Sequence, residues 1–154
     1  MDRERLGWDE QCMQQALRLA REAAAAGEIP VGAVVERGGG IIGRGRNSPI
    51  ANSDPTAHAE ILALRQAAEL IGNYRLEGAT LYCTLEPCVM CAGALVAARV
   101  ARVVFGARDL RFGGVRSKFQ VADSEVLNHR VEVVEGLLGA ECVELLQGFF
   151  EARR

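Results

Sequence analysis

Two short strings carry most of the reactive side chains: His58-Ala59-Glu60, and Pro87-Cys88-Val89-Met90-Cys91 about thirty residues later. Imidazole nitrogen and thiolate sulfur are donors that zinc commonly takes, and a catalytic zinc centre uses three protein ligands with a fourth position left for water. His58, Cys88 and Cys91 make such a set. Two cysteines three apart at a helix start share one face, where free backbone N–H groups and the helix dipole favour thiolates. Residues two apart on a helix are turned by about 200° from each other. Glu60 is therefore read as a carboxylate beside the metal-bound water and not as a ligand. Zinc lowers the pKa of its water, and a nearby carboxylate can take the proton and later return it to a leaving group. This chemistry is hydrolysis at an electrophilic carbon. With an amino group leaving as ammonia, it is hydrolytic deamination.

Other readings stand beside this one. A lone CxxC also occurs as a structural zinc half-site or a redox pair, and a lone histidine in a helix is usually structural. A structural site would need a fourth ligand. The remaining candidates are His129 and Cys12, Cys83 and Cys142, and these cysteines lie within apolar patterns where Cys behaves as a small hydrophobe. A redox pair leaves His-Ala-Glu unexplained, and a non-catalytic zinc or RNA-binding scaffold does not need Glu60. The combination of HxE with PCxxC matches the pattern of zinc deaminases that act on nucleobases.

The elements that must position these groups follow from periodicity. Met13, Leu17, Ala20 and Ala24 recur at helical spacing, so a helix is expected over Asp9 to Ala26, capped by Asp9 and ended by Gly27. Pro30 to Glu36 and Ile41 to Gly45 flank a glycine turn and read as a β-hairpin. Asn47 to Asp54 reads as loop, and Asp54-Pro55-Thr56 as the start of a helix running to about Ile71. Ala79 to Leu85 is a buried strand, Cys88 to Ala98 a helix, and Val100 to Gly106 and Val131 to Glu135 further strands. Asp109 to Asn128 is irregular. Gly139 to Arg154 is a last helix with Cys142, Leu145, Leu146 and Phe149 on one face. Alternating helices and strands give an α/β layered fold with helices on both faces of one sheet.

A chain of 154 residues, 49% hydrophobic and 25% charged, fits a single folded domain over residues 1–154. Its longest apolar run, Val89 to Ala98, is far short of the roughly 20 residues a membrane helix needs. No secretory pattern opens the sequence, and five cysteines are an odd number, so a reducing cytoplasm is the expected compartment. The net charge of −2, from 18 Lys+Arg against 20 Asp+Glu, argues against a generally basic surface. That total hides a basic stretch: residues 99–131 carry seven basic and three acidic side chains. Every basic residue but Lys118 is arginine, which suits forked phosphate contacts.

At these residues the sequence resembles the zinc-dependent nucleoside and nucleotide deaminases, and within them the bacterial branch that acts on tRNA adenosine. The resemblance covers nearly the whole chain, through PVGAVV, DPTAHAEILALRQ, NYRLEGATLYCTLEPCVMCAGAL, RVVFGARD, NHRVEV and the terminal FFEARR. It implies a three-layer α/β/α cytidine-deaminase-like fold with a mixed sheet of about five strands. It further implies one zinc per subunit on His58, Cys88 and Cys91, with Glu60 as proton shuttle. Asn47 matches an asparagine that hydrogen-bonds the nucleoside, and Ala59 a residue whose backbone N–H faces the reacting oxygen. The implied substrate is the wobble adenosine of an arginine tRNA anticodon, converted to inosine by a homodimer. Arg108 and Asp109 fall where the family contacts the anticodon loop, and Phe149, Phe150, Arg153 and Arg154 match the terminal helix that approaches RNA. The chain departs from the family pattern at Ala97, at Leu110 to Lys118, and at Glu151.

Overall fold

The computed structural model describes residues 3–154, in the order α1 (Arg3–Ala25), β1 (Gly32–Arg37), β2 (Gly40–Arg46), α2 (Pro49–Asn52), α3 (Ala59–Ile71), β3 (Thr80–Leu85), α4 (Val89–Ala97), β4 (Arg102–Ala107), β5 (Glu132–Glu135) and α5 (Gly139–Glu151). The five strands form one mixed sheet in the order β2-β1-β3-β4-β5. β1 is antiparallel to both neighbours, whereas β3, β4 and β5 are parallel. Thus β1 alone runs against the other four.

Successive side chains of a strand point to opposite faces, and here that alternation makes two cores. Ala33, Val35, Leu81, Cys83, Val103 and Phe105 face α3 and α4, where they meet Ala59, Ala63, Ala67, Ala92 and Leu95. Val34, Tyr82 and Val104 face the other way, onto Cys12, Met13, Ala16 and Leu17 of α1 and Cys142 of α5. Helices cover both faces in three α/β/α layers, as the sequence pattern requires. Cys12, Cys83 and Cys142 are buried in these cores as hydrophobes. Among the described residues no helix is long and apolar enough to cross a membrane.

Helix α3 lies directly on β2 because two strand positions lack side chains. A methyl group at Gly45 would collide with the Ala59 carbonyl oxygen and sit 2.8 Å from the Ala63 nitrogen, and one at Gly43 would lie 3.0 Å from Ala67. Overpacking of this kind costs about 1–3 kcal/mol. Gly45→Ala is expected to lower the calorimetric melting temperature, whereas Gly148→Ala on α5, where a Cβ meets nothing, leaves it unchanged or raises it. Equal effects at both sites would refute the close-packing account.

Three local expectations need correction. Helix α1 begins at Arg3, so Asp9 lies inside it and caps nothing. Asp9 is buried: its carboxylate accepts both terminal nitrogens of Arg102, at 2.9 and 2.7 Å, and the Tyr82 hydroxyl at 2.6 Å. Its partners lie more than seventy residues away in sequence, beyond the reach of local spacing. Helix α3 starts at Ala59 and not at Pro55, because the Asp54 carboxylate is spent on a tight turn, accepting the Thr56 amide and hydroxyl. Finally, the stretch expected to be loop contains the one-turn helix α2, whose Ile50 and Ala51 amides donate to the Glu28 carboxylate.

Candidate active site

The strand directions decide where the site forms. β2, β3 and β4 end at one edge of the sheet and β1 begins there. In such sheets the crevice beyond the carboxyl ends of strands is where ligands bind. Asn47 after β2, Leu85 at the end of β3 with Glu86 and Cys88 beyond it, and Asp109 after β4, with Ile29 and Val31 before β1, line a cavity of about 500 Å³. His58, Glu60, Val89, Arg111, Phe112 and Phe119 complete it. The volume falls within the range of small-molecule sites.

Two helices point their N-termini into this crevice. His58 is the N-cap residue of α3 and Cys88 that of α4, with Cys91 one turn into α4. The His58 Nδ1 lies 3.6 Å from the Cys88 Sγ and 3.5 Å from the Cys91 Sγ. Donors at ordinary zinc bond lengths on a tetrahedron stand about 3.6 Å apart for a nitrogen and sulfur pair, so the residues fit the ion. Among the described residues these three form the group able to hold a metal. His129, the other histidine, is engaged elsewhere, its Nε2 lying 2.7 Å from the Val100 carbonyl oxygen. Hydrogen bonding to Cys91 and His58 draws the Cys88 thiol down to about 4, against the cost of burial. Cys91 is pushed up, first by that same sharing with Cys88 and then by burial. A metal binds thiolates, so both sulfurs must be deprotonated to ligate it.

Glu60 is buried, 4% exposed, and lines the same cavity without joining the three donors. Burial pushes its carboxyl up to about 7, opposed by a backbone hydrogen bond and the His58 charge. Ala59 is fully buried at the first position of α3, where a backbone N–H has no partner within the helix.

The residues expected to touch RNA divide. Asn47 and Asp109 line the cavity. Arg108 does not; its guanidinium donates to both Glu135 carboxylate oxygens, at 3.0 and 2.9 Å. Phe150 lies half-exposed in a neighbouring groove with Arg108, Gln147 and Arg154. Arg153 stacks over the buried Phe149 ring, 3.5 Å from its centroid, and donates to the Phe149 carbonyl. Sequence spacing missed the apolar wall of Ile29, Val89, Phe112 and Phe119. Aromatic residues inside an irregular polar stretch were the available signal, since large exposed apolar groups mark interaction sites.

The chain matches the MafB19-like deaminase family over residues 8–154. It belongs to that family of hydrolases. A tRNA-specific adenosine deaminase of Haemophilus influenzae is 53% identical over 148 residues, covering 96% of this chain and 86% of that protein. At that identity and coverage the chain is a member of the tRNA-specific adenosine deaminases. A solved tRNA:A34 deaminase, studied for A-to-I editing at the wobble position, superposes with a TM-score of 0.86 at 42% identity, covering 88% of this chain and 99% of that one. A guanine deaminase from Nitrosomonas europaea superposes with a TM-score of 0.79 at 29% identity, covering 91% and 83%.

Proposed function

We propose that this chain, folded as a single zinc-dependent deaminase domain, converts the wobble adenosine of an arginine tRNA anticodon to inosine and releases ammonia. His58, Cys88 and Cys91 hold one zinc ion per subunit. Zinc bound there supplies Lewis-acid activation of water at neutral pH. The Glu60 carboxylate takes a proton from the attacking water as the oxygen bonds to C6. It then delivers that proton to the amino nitrogen as the C6–N bond breaks. Asn47 hydrogen-bonds the nucleoside, and the Ala59 N–H faces the reacting oxygen. Asp109 meets the anticodon loop at the cavity, and Arg108, Phe150 and Arg153 reach RNA farther out. The enzyme works as a homodimer in the cytoplasm.

The observation that carries this reading is the convergence of three donors at tetrahedral spacing with Glu60 on the wall of the same cavity. The RNA substrate rests on the relatives' names. A second reading, deamination of a free base, is favoured by the guanine deaminase neighbour. An arginine tRNA transcript treated with zinc-loaded protein, digested and analysed by mass spectrometry distinguishes them. One inosine per tRNA, abolished by a chelator, is the expected outcome. No inosine from zinc-loaded protein overturns the proposal, and ammonia released from free guanine or cytosine instead establishes the second reading.

A further inference from the structure

Glu86 directly follows β3, two residues before Cys88, and is 1% exposed. One carboxylate oxygen accepts the Asp109 amide at 3.1 Å and the Ser117 hydroxyl. The other accepts the amides of Val115, Arg116 and Ser117 at 3.1, 2.7 and 2.9 Å. A carboxylate offers about four lone-pair sites, so five donors saturate it, and all five come from residues 109–117.

The segment is wound tightly about this one side chain. A methyl group at Gly113 would collide with the Glu86 carboxylate, and one at Gly114 would lie 2.7 Å from the Val89 backbone. The Gly114 amide donates to the Pro87 carbonyl at 2.8 Å, and Gly113 bridges to Cys88. Within the loop, one Asp109 carboxylate oxygen accepts the Arg111 and Phe112 amides, both at 3.1 Å. Arg111 and Phe112 are thereby presented to the cavity, with Phe119 just beyond. Phe112 is 62% exposed and Phe119 57%, so each offers an open ring at the mouth.

We propose that Glu86 is a positioning residue. Its carboxylate is the template on which residues 109–117 fold, and it holds Arg111 and Phe112 as the wall against which the nucleotides flanking the target base are gripped. It takes no part in bond making, because both oxygens are already occupied. The RNA component rests on the function proposed above; the template role does not.

The test is Glu86→Gln in the zinc-loaded protein. An amide keeps the shape but loses the charge and turns acceptor sites into N–H donors that face the loop's own amides. Hydrogen exchange over residues 109–117 is expected to quicken by about tenfold or more, with zinc content per chain unchanged. On an anticodon stem-loop, KM should rise by about tenfold while kcat stays within about threefold. Unchanged exchange overturns the template role, and a fall in kcat at constant KM overturns the gripping role. Should the Gln variant not fold, Ser117→Ala removes a single donor and decides the matter: faster exchange over 113–118 supports the proposal and unchanged exchange overturns it. Wild-type protein that forms no inosine sinks the RNA reading by itself, while the exchange experiment still judges Glu86.

Discussion

Glu60→Ala is expected to slow deamination of an anticodon stem-loop by about 10²- to 10⁴-fold, the usual worth of a positioned general acid and base, with metal content unchanged. Glu60 is buried in the wall of the cavity and is not one of the three convergent donors. No neighbour can take over its task. The Glu86 carboxylate is filled by donors from the 109–117 loop, and Asp109 is bonded to the Arg111 and Phe112 amides. Glu60→Gln should be as inactive as the alanine variant, since it preserves packing and removes only the ability to accept a proton. Elemental analysis beside the rate measurement separates the possibilities: wild-type turnover in either variant, or loss of metal in both, would contradict the assigned role.

The second large effect is on stability. Asp9→Ala leaves the Arg102 guanidinium buried without its counter-charge and the Tyr82 hydroxyl without its acceptor. The Arg102 Nε already lacks a hydrogen-bond partner, so nothing nearby compensates. Breaking a buried ion pair from one side costs about 3–5 kcal/mol, a large share of the roughly 5–15 kcal/mol that stabilises a typical domain. A fall in melting temperature of roughly 10 °C follows. Burial by itself would raise the Asp9 pKa, but hydrogen bonds from Arg102 and Tyr82 and the Arg102 charge outweigh it and hold the carboxyl below its ordinary value. A depressed carboxylate contributes stability above its unfolded pKa, near 3.9, and loses it as pH falls through the folded value. Urea unfolding should therefore show a full gap between wild type and Asp9→Asn at pH 6 that narrows below about pH 4. A gap independent of pH would show that the charge on Asp9 is not what matters.

The layers of the fold were legible because apolar periodicity is a local property. Helices alternate with short apolar runs such as Ala79 to Leu85, which read as buried strands; the structure then assigns Ala33, Val35, Leu81 and Cys83 to one core and Val34 and Tyr82 to the other. The convergence of His58, Cys88 and Cys91 was legible because a metal site would require donors of these types at this spacing. What sequence could not show depends on partners distant along the chain. Asp9 has the features of a cap until Arg102 arrives from β4. Asp54 looks like the first residue of a helix, yet its carboxylate is taken by Thr56, which moves the helix start to Ala59 and makes His58 the N-cap residue. Arg108, which the family resemblance places at the anticodon loop, has a partner that sequence does not show, Glu135 of β5. The aromatic wall is invisible to periodicity because residues 109–117 have none; their order comes from one carboxylate on another element.

His58, Cys88, Cys91 and Glu60 all belong to one contiguous run, α3-β3-α4 with its two caps, whereas most of the cavity wall comes from segments before β1, after β2 and after β4. The convergent donors and most of the cavity wall are thus supplied by different parts of the chain. Mutations in the wall-forming segments can alter what is deaminated while leaving intact the means of deaminating it. In a directed-evolution setting, altered substrate range should be sought in the segments around Ile29, Asn47 and Phe112, with residues 58–91 held constant.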